Sequence, residues 1–193
     1  VPTAGMALRW FRDEFGGGAG YGELSRSAES VPPGCDGLLM LPHLCGMTSP
    51  VANPDGRGVF YGITPAHGRA HFVRAILEAV AFSLRENLEL LEELGAGCRD
   101  VVSIGGASRS GLWLRIKADV LGRPLGTALC EETTSLGAAM LAAVGSGFFP
   151  SLAEAAGAMC HPGEKIIPDV ENKKIYDSVF HRCKNLNGKL FSV

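Results

Sequence analysis

The sequence predicts an α/β domain with helices packed against a sheet, and three observations carry that expectation. Short apolar runs alternate with segments of helical period along the chain. Hydrophobic residues make up 46% of the 193 and charged residues 20%, so a real core can be buried. Glycine occurs 26 times, which favours tight turns and close backbone contacts over a plain helical bundle.

The elements follow in order. Ala4 to about Phe15 reads as a helix, with Leu8, Phe11 and Phe15 on one face and Thr3 as N-cap. The run FGGGAGY ends it and reads as a flexible connector. Tyr21 to Ser30 is a short helix stopped by Pro32-Pro33, and DGLLMLPHL is a buried strand with a turn before it. A Pro/Asn/Asp/Gly-rich loop leads to a strand at 58 to 64. The strongest helical segment is Gly68 to Leu94, where Val73, Leu77, Val80, Leu84, Leu88 and Leu91 recur at spacings of three and four. Arg74–Glu78 and Arg85–Glu89 are read as i,i+4 pairs on its wet side, and Gly95 closes it.

DVVSIGG is then a buried strand, followed by a helix marked by Leu112, Ile116 and Val120 and ended by Gly122. LGTALC is a short strand. TTSLGAAMLAAVGSG is a helix of small residues, capped by Thr133 or Thr134, whose composition implies a closely packed neighbour. A short helix opens at Ser151, and a polar-leaning one runs from Asp169 to about Asn187.

Bulk properties exclude several function classes. A net charge of −2 offers no nucleic-acid surface, and the apolar runs are well short of the roughly 20 residues of a membrane span. The N-terminus lacks both a signal-peptide pattern and an initiator Met, so the expectation is a cytoplasmic piece of something longer. The six cysteines form no CxxC pair and the five histidines do not cluster with them, so no metal site is expected and the thiols are read as reduced and mostly buried.

The chemistry-bearing stretch is Gly105-Gly106-Ala107-Ser108-Arg109-Ser110, where a strand hands over to a helix. A helix N-terminus offers unpaired N–H groups and partial positive charge, and bare glycines let a diphosphate approach. The alternative is a tight turn with Ser108 or Ser110 as N-cap. A Walker loop is excluded because Leu112-Trp113 follows Gly111. A dinucleotide fingerprint is excluded because Ala107 and Ser110 stand where its second and third glycines belong, which argues against an NAD-dependent dehydrogenase.

Four collinear segments carry a resemblance to the FGGY carbohydrate kinases. GVFYGITPAHGRAHFVRAILE fills each place of the family's second signature. TAGMALRWFRD is similar to the family's Ala-Gly helix, GGASRSGLWLRIKADVLGRPL to its adenine-nucleotide segment, and EETTSLGAAMLAAVGSGFF to its closing Gly-Ala-Ala helix. The resemblance implies a ribonuclease H-like, actin-like ATPase fold and covers only the second, nucleotide-binding domain, across residues 1–193. Its N-terminal strands, including a phosphate hairpin, would lie upstream. It implies ATP and Mg²⁺ as cofactors, and a ketose or polyol, xylulose-like, held by the missing N-terminal domain. Oligomeric state stays open, with a homodimer among the possibilities.

The residues carried over are few. The resemblance sets Gly106 against the nucleotide phosphates, with Gly105 and Ala107 completing the turn. It gives Ser110 a polar place reaching toward the nucleotide, and sets Gly5 and Arg9 along the same pocket. No catalytic base and no metal ligand is carried over, so the chain alone is expected to be inactive. Met47-Thr48 and Val51 depart from the Glu-Arg pair and the His of xylulokinase-like members, and Arg57 is read as structural. Asp119 is read as a surface or capping residue, and Glu131-Glu132 as complements to a helix N-terminus. The rival from another class is a non-catalytic actin-like assembly or regulatory module.

Overall fold

The computed structural model describes residues 4–98 and 100–191. Seven α-helices and five strands are described: α1 (Ala4–Phe15), α2 (Tyr21–Glu29), β1 (Leu39–Pro42), β2 (Gly58–Tyr61), α3 (Arg69–Glu93), β3 (Val101–Ser103), α4 (Gly111–Leu121), β4 (Leu125–Ala128), α5 (Thr133–Gly145), α6 (Leu152–Met159), β5 (Pro162–Ile166) and α7 (Val170–Phe191). The expected α/β alternation is present. Thr3, the expected cap of α1, lies outside the described residues.

Two small sheets result. β1 and β2 form an antiparallel pair, with Leu39 opposite Tyr61 and Pro42 opposite Gly58. β3 runs parallel to β4, with α4 as the crossover, and β5 adds antiparallel on the far side of β4. The strand β5 was not expected. Its sequence PGEKI has one β-branched residue, a proline and a glycine, so nothing local announces a strand. Edge pairing with β4 holds it instead. β2 is also shorter than expected, because Gly62 at φ +85° turns the chain away.

The main core joins α1, α2, α3, α4, β1 and α7. Its centre is α3, whose residues 73–82 are all buried. That overturns one expectation: the Arg74–Glu78 pair faces the core, not water. Glu78 Oε1 accepts from Arg74 Nε (3.0 Å), the Gly34 amide (3.1 Å) and the Tyr176 hydroxyl (3.0 Å), while Oε2 takes the Cys35 thiol at 3.4 Å. Arg74 also donates to Tyr176 and to the Ala28 carbonyl. Burial pushes the Glu78 carboxyl above its usual range, against the pull of Arg74. The cluster pins the segment 34–37, where Gly34, Cys35, Asp36 and Gly37 all take positive φ. Cys35 and Asp36 are not glycines, and such residues persist there only when the surroundings over-determine them. The Arg85–Glu89 pair, 2.8 Å, does lie at the margin of water.

Other expectations also meet the structure differently. Leu8 and Phe11 are buried but Phe15 is 57% exposed, because the helix ends there. The thiols are all free, yet only Cys35 and Cys183 are buried and Cys45 and Cys160 are exposed. Helix α5 packs closely against α6, the neighbour its small residues implied, though no α5 residue is fully buried. Its N-cap is Glu132, without a side-chain cap bond, in place of Thr133 or Thr134. The Gly-rich connector is tied down at Gly16, whose carbonyl accepts from Arg69 at 2.9 Å. A Cβ at Gly16 would collide with the Arg12 carbonyl oxygen.

Asp119 has the capping role but is buried. Its Oδ1 accepts from the Asp169 amide at 2.7 Å and its Oδ2 from Asn172 Nδ2 at 2.9 Å, just before and within the first turn of α7. The carboxylate thus satisfies a donor at that helix start and complements its partial positive charge. Asp119→Ala is expected to cost about 1–2 kcal/mol, read by urea denaturation. A change below a few tenths would show that the cap is dispensable.

Candidate functional site: the glycine turn at the head of α4

β3 ends at Ser103, and Ile104 leads into Gly105 at φ 72° and ψ −166°. That backbone region is essentially closed to any side-chain-bearing residue, so the glycine here is dictated by geometry. A 3₁₀ turn over Gly106–Arg109 follows, and then α4 begins. Ser108 closes the turn twice, its amide (2.9 Å) and its hydroxyl (2.7 Å) both donating to the Gly105 carbonyl. Ala107 does not take positive φ, and it packs against the main core. Alanine therefore serves in place of the resemblance's third glycine without strain.

Ser110 is the N-cap of α4. Its hydroxyl oxygen accepts from the Trp113 amide at 3.2 Å and lies 2.7 Å from the Ser25 hydroxyl of α2. The capping alternative weighed for this residue is thus realised, and its hydroxyl is already engaged. The serine pair also ties α2 to the head of α4.

A Cβ built on Gly105 or Gly106 would meet no protein atom within 4 Å. The turn therefore presents bare backbone to open space. The first N–H groups of the turn, at Gly106 and Ala107, have no intrahelical acceptor and donate to no described residue. Such a surface suits an anion with several acceptor oxygens.

Gly5 and Arg9 stand one turn apart on the exposed face of α1, and a Cβ on Gly5 would likewise meet open space. Arg9 makes no hydrogen bond or ion pair with the described residues. The structure gathers Gly105, Gly106, Ala107 and Ser110 into one turn. It leaves Gly5 and Arg9 on a separate helix with no hydrogen bond to that turn.

The turn's outer edge is charged. Arg109 pairs with Glu131 at 2.6 Å and with Glu132 at 3.6 Å, bridging to the loop before α5. All three side chains are more than half exposed, so the bridge contributes at most about 1 kcal/mol. The glutamates thus bind an arginine in addition to preceding a helix. Arg57 donates to the carbonyls of Pro54 and Gly56, both at 2.8 Å, which is the structural role expected of it. Met47 is buried and bridges Asn53 through both backbone groups, whereas Val51 is exposed.

Sequence reasoning missed Lys117. Its ammonium is buried beneath the turn, donates to Ser103 Oγ at 3.0 Å, and lies 4.7 Å from the centroid of the Trp113 ring. The signal was available: Trp113, Lys117 and Val120 fall on one helical face, so a cation interrupts an apolar stripe. Burial lowers the ammonium pKa from 10.5 to about 8. The folded value lies below the unfolded one, so the full penalty applies below pH 8 and is relieved as pH rises toward 10.5. Stability is expected to climb by about 3 kcal/mol across that window relative to Lys117→Met, read by urea denaturation in both proteins. Parallel pH curves for the two proteins would refute this.

Among the described residues no group of three or more His, Cys, Asp or Glu side chains could hold a metal ion. None of the described helices is long and apolar enough to cross a membrane.

Residues 3–146 match the C-terminal domain of the FGGY family of carbohydrate kinases. The chain is 38% identical over 184 residues to the xylulose kinase of Bacillus subtilis, covering 95% of this chain and 37% of that protein. It is also 38% identical over 154 residues to the glycerol kinase of Citrifermentans bemidjiense, covering 79% of this chain and 31% of that protein. Among solved structures, the xylulose kinase of Rhodospirillum rubrum superposes with a TM-score of 0.82 at 33% identity, covering 96% of this chain and 38% of that one. The Plasmodium falciparum glycerol kinase with ADP superposes at 0.78 with 25% identity, covering 95% of this chain and 37% of that one. The chain spans about a third of the length of these relatives. With its α/β fold, its signature helix α3 and its glycine turn, the chain belongs to the FGGY family of carbohydrate kinases and corresponds to that family's C-terminal domain.

Proposed function

We propose that this chain is the nucleotide-binding half of an ATP-dependent carbohydrate kinase, with Gly105, Gly106 and Ala107 as the backbone shelf for the phosphates. The observation that carries the reading is the pair of side-chain-free positions facing open space at the head of α4. Unpaired amides and the helix's partial positive end favour a polyphosphate there. Gly5 and Arg9 would flank the nucleotide from α1, where a guanidinium can approach phosphate oxygens or stack on a purine. Ser110 contributes through the cap that fixes the helix start.

Phosphoryl transfer is chiefly positioning and charge neutralisation. ATP supplies the phosphoryl group. The acceptor hydroxyl, on a ketose or polyol of the xylulose type, and the base that takes its proton would come from the other domain of the full-length protein. No described cluster fits a metal, so Mg²⁺ would arrive with the phosphates and find its remaining ligands outside this chain. In the actin-like, ribonuclease H-like reading, the uncovered face of α5 and the free edge of β3 would receive the remaining strands of the domain. Val102 and Ile104, both 53% exposed, leave apolar side chains on one face beside that edge, suited to a covering layer.

Calorimetric titration of the chain with ADP tests the binding half of this reading. Saturable one-site heat, with a melting temperature that rises with ADP, is expected. Heat no larger than dilution, in a chain that melts cooperatively, would overturn it. Turnover with ATP and xylulose is expected only from the full-length protein.

A further inference from the structure

Lys117 is out of place on stability grounds. A buried ammonium loses most of its hydration, and among the described residues one neutral hydroxyl and one aromatic face replace it. Methionine would fill a similar volume with no charge to desolvate. The contacts of Lys117 run in one direction. Trp113 is anchored to α3, its Nε1 donating to the Leu77 carbonyl at 3.1 Å. Lys117 rests on that ring, one turn further along α4. Its tip then reaches Ser103, the last residue of β3 and two residues before Gly105. A chain of contacts therefore runs from the signature helix α3 to the strand end from which the glycine turn departs.

We propose that Lys117 is a positioning residue for the glycine turn, holding the end of β3 through Ser103 so that Gly105 and Gly106 leave the strand in one fixed geometry. Its consequence for ligand affinity rests on the nucleotide reading above; its consequence for the turn does not. The turn's other restraints, at Ala107, Ser108, Arg109 and Ser110, act from its helix side and leave the strand side to Ser103. Gly105 and Gly106 carry no side chain to pack, and Ile104 is 53% exposed. Ser103 is the nearest buried side chain on the strand side. A hydrogen bond from a charged donor is stronger than a neutral one and holds direction better, and shelves of bare amides depend on such support.

The test uses Lys117→Met, Ser103→Ala and the double variant, each read in three ways. Thermal melting of Lys117→Met at pH 7 is expected to rise, because the buried charge is gone. Amide hydrogen exchange at Ser108, whose N–H closes the turn on the Gly105 carbonyl, is nevertheless expected to quicken about tenfold in both single variants. ADP affinity by calorimetry is expected to fall about tenfold in Lys117→Met, with the double variant no worse, since both changes cut the same contact. A fold that becomes more stable while its turn loosens is something a purely structural lysine would not give. Unchanged exchange at Ser108 in Lys117→Met overturns the proposal, as does additivity of the two substitutions. If the wild-type chain binds no ADP, the nucleotide reading fails while the exchange measurement still decides the role of Lys117.

Discussion

Replacing Glu78 by alanine is expected to cost about 3–5 kcal/mol of folding stability, a large share of what a domain this size has. The carboxylate is the hub of five groups: the Arg74 guanidinium, the Tyr176 hydroxyl, the Gly34 amide, the Cys35 thiol and, through Arg74, the Ala28 carbonyl. Its removal strands Arg74, only 5% exposed, as a buried cation. It also releases the run of left-handed residues at 34–37, whose strain the cluster holds in place. Glu78→Gln keeps the shape and loses the charge, so an intermediate cost is expected. An Arg74→Met, Glu78→Leu pair removes both charges and is expected to recover much of the loss, as such replacements do in other buried ion pairs. Urea denaturation at pH 7 measures all three. A loss below about 1 kcal/mol in the alanine variant would show that the cluster contributes little net stability.

Gly106→Leu is expected to weaken ADP binding about a hundredfold or more while leaving the fold intact. The separation of the two effects follows from local geometry. Gly106 does not take positive φ, and a Cβ there would meet no protein atom within 4 Å. Neither the backbone conformation nor the space at that first carbon therefore opposes leucine. A bound diphosphate would, because the side chain would occupy the space from which its oxygens reach the amides. Gly105 cannot serve as this probe. Its φ of 72° and ψ of −166° would make any substitution a backbone defect first. Calorimetric titration beside a melting curve reads both arms. Wild-type affinity in a folded Gly106→Leu protein would remove the turn from the nucleotide site.

Much of this could be read in the sequence because the signals were local. The stripe from Val73 to Leu91 announced α3, Gly95 and Gly122 its end and that of α4, and Ser151 the start of α6. The strand-to-helix turn was legible because two adjacent glycines have few other uses. What escaped was decided by partners distant in sequence. Arg74 and Glu78 have the spacing of a solvent pair, and only Tyr176, about a hundred residues later, makes them a core cluster. β5 exists through its register with β4, not through its own residues. The small side chains of α5 signalled a tight neighbour, and α6 is that neighbour, but the composition did not show that every α5 residue keeps some exposure to solvent. Asp119 read as a cap candidate with no visible client, because the helix it caps begins fifty residues on.

The bare flank of α5 has a calorimetric consequence. Hydrocarbon already wetted in the native state adds nothing to the heat capacity gained on melting. An average chain of 193 residues would show an increment of about 2.5 kcal/mol/K. This one is expected to fall short of that figure, and so to have a flatter stability curve with temperature than its length suggests.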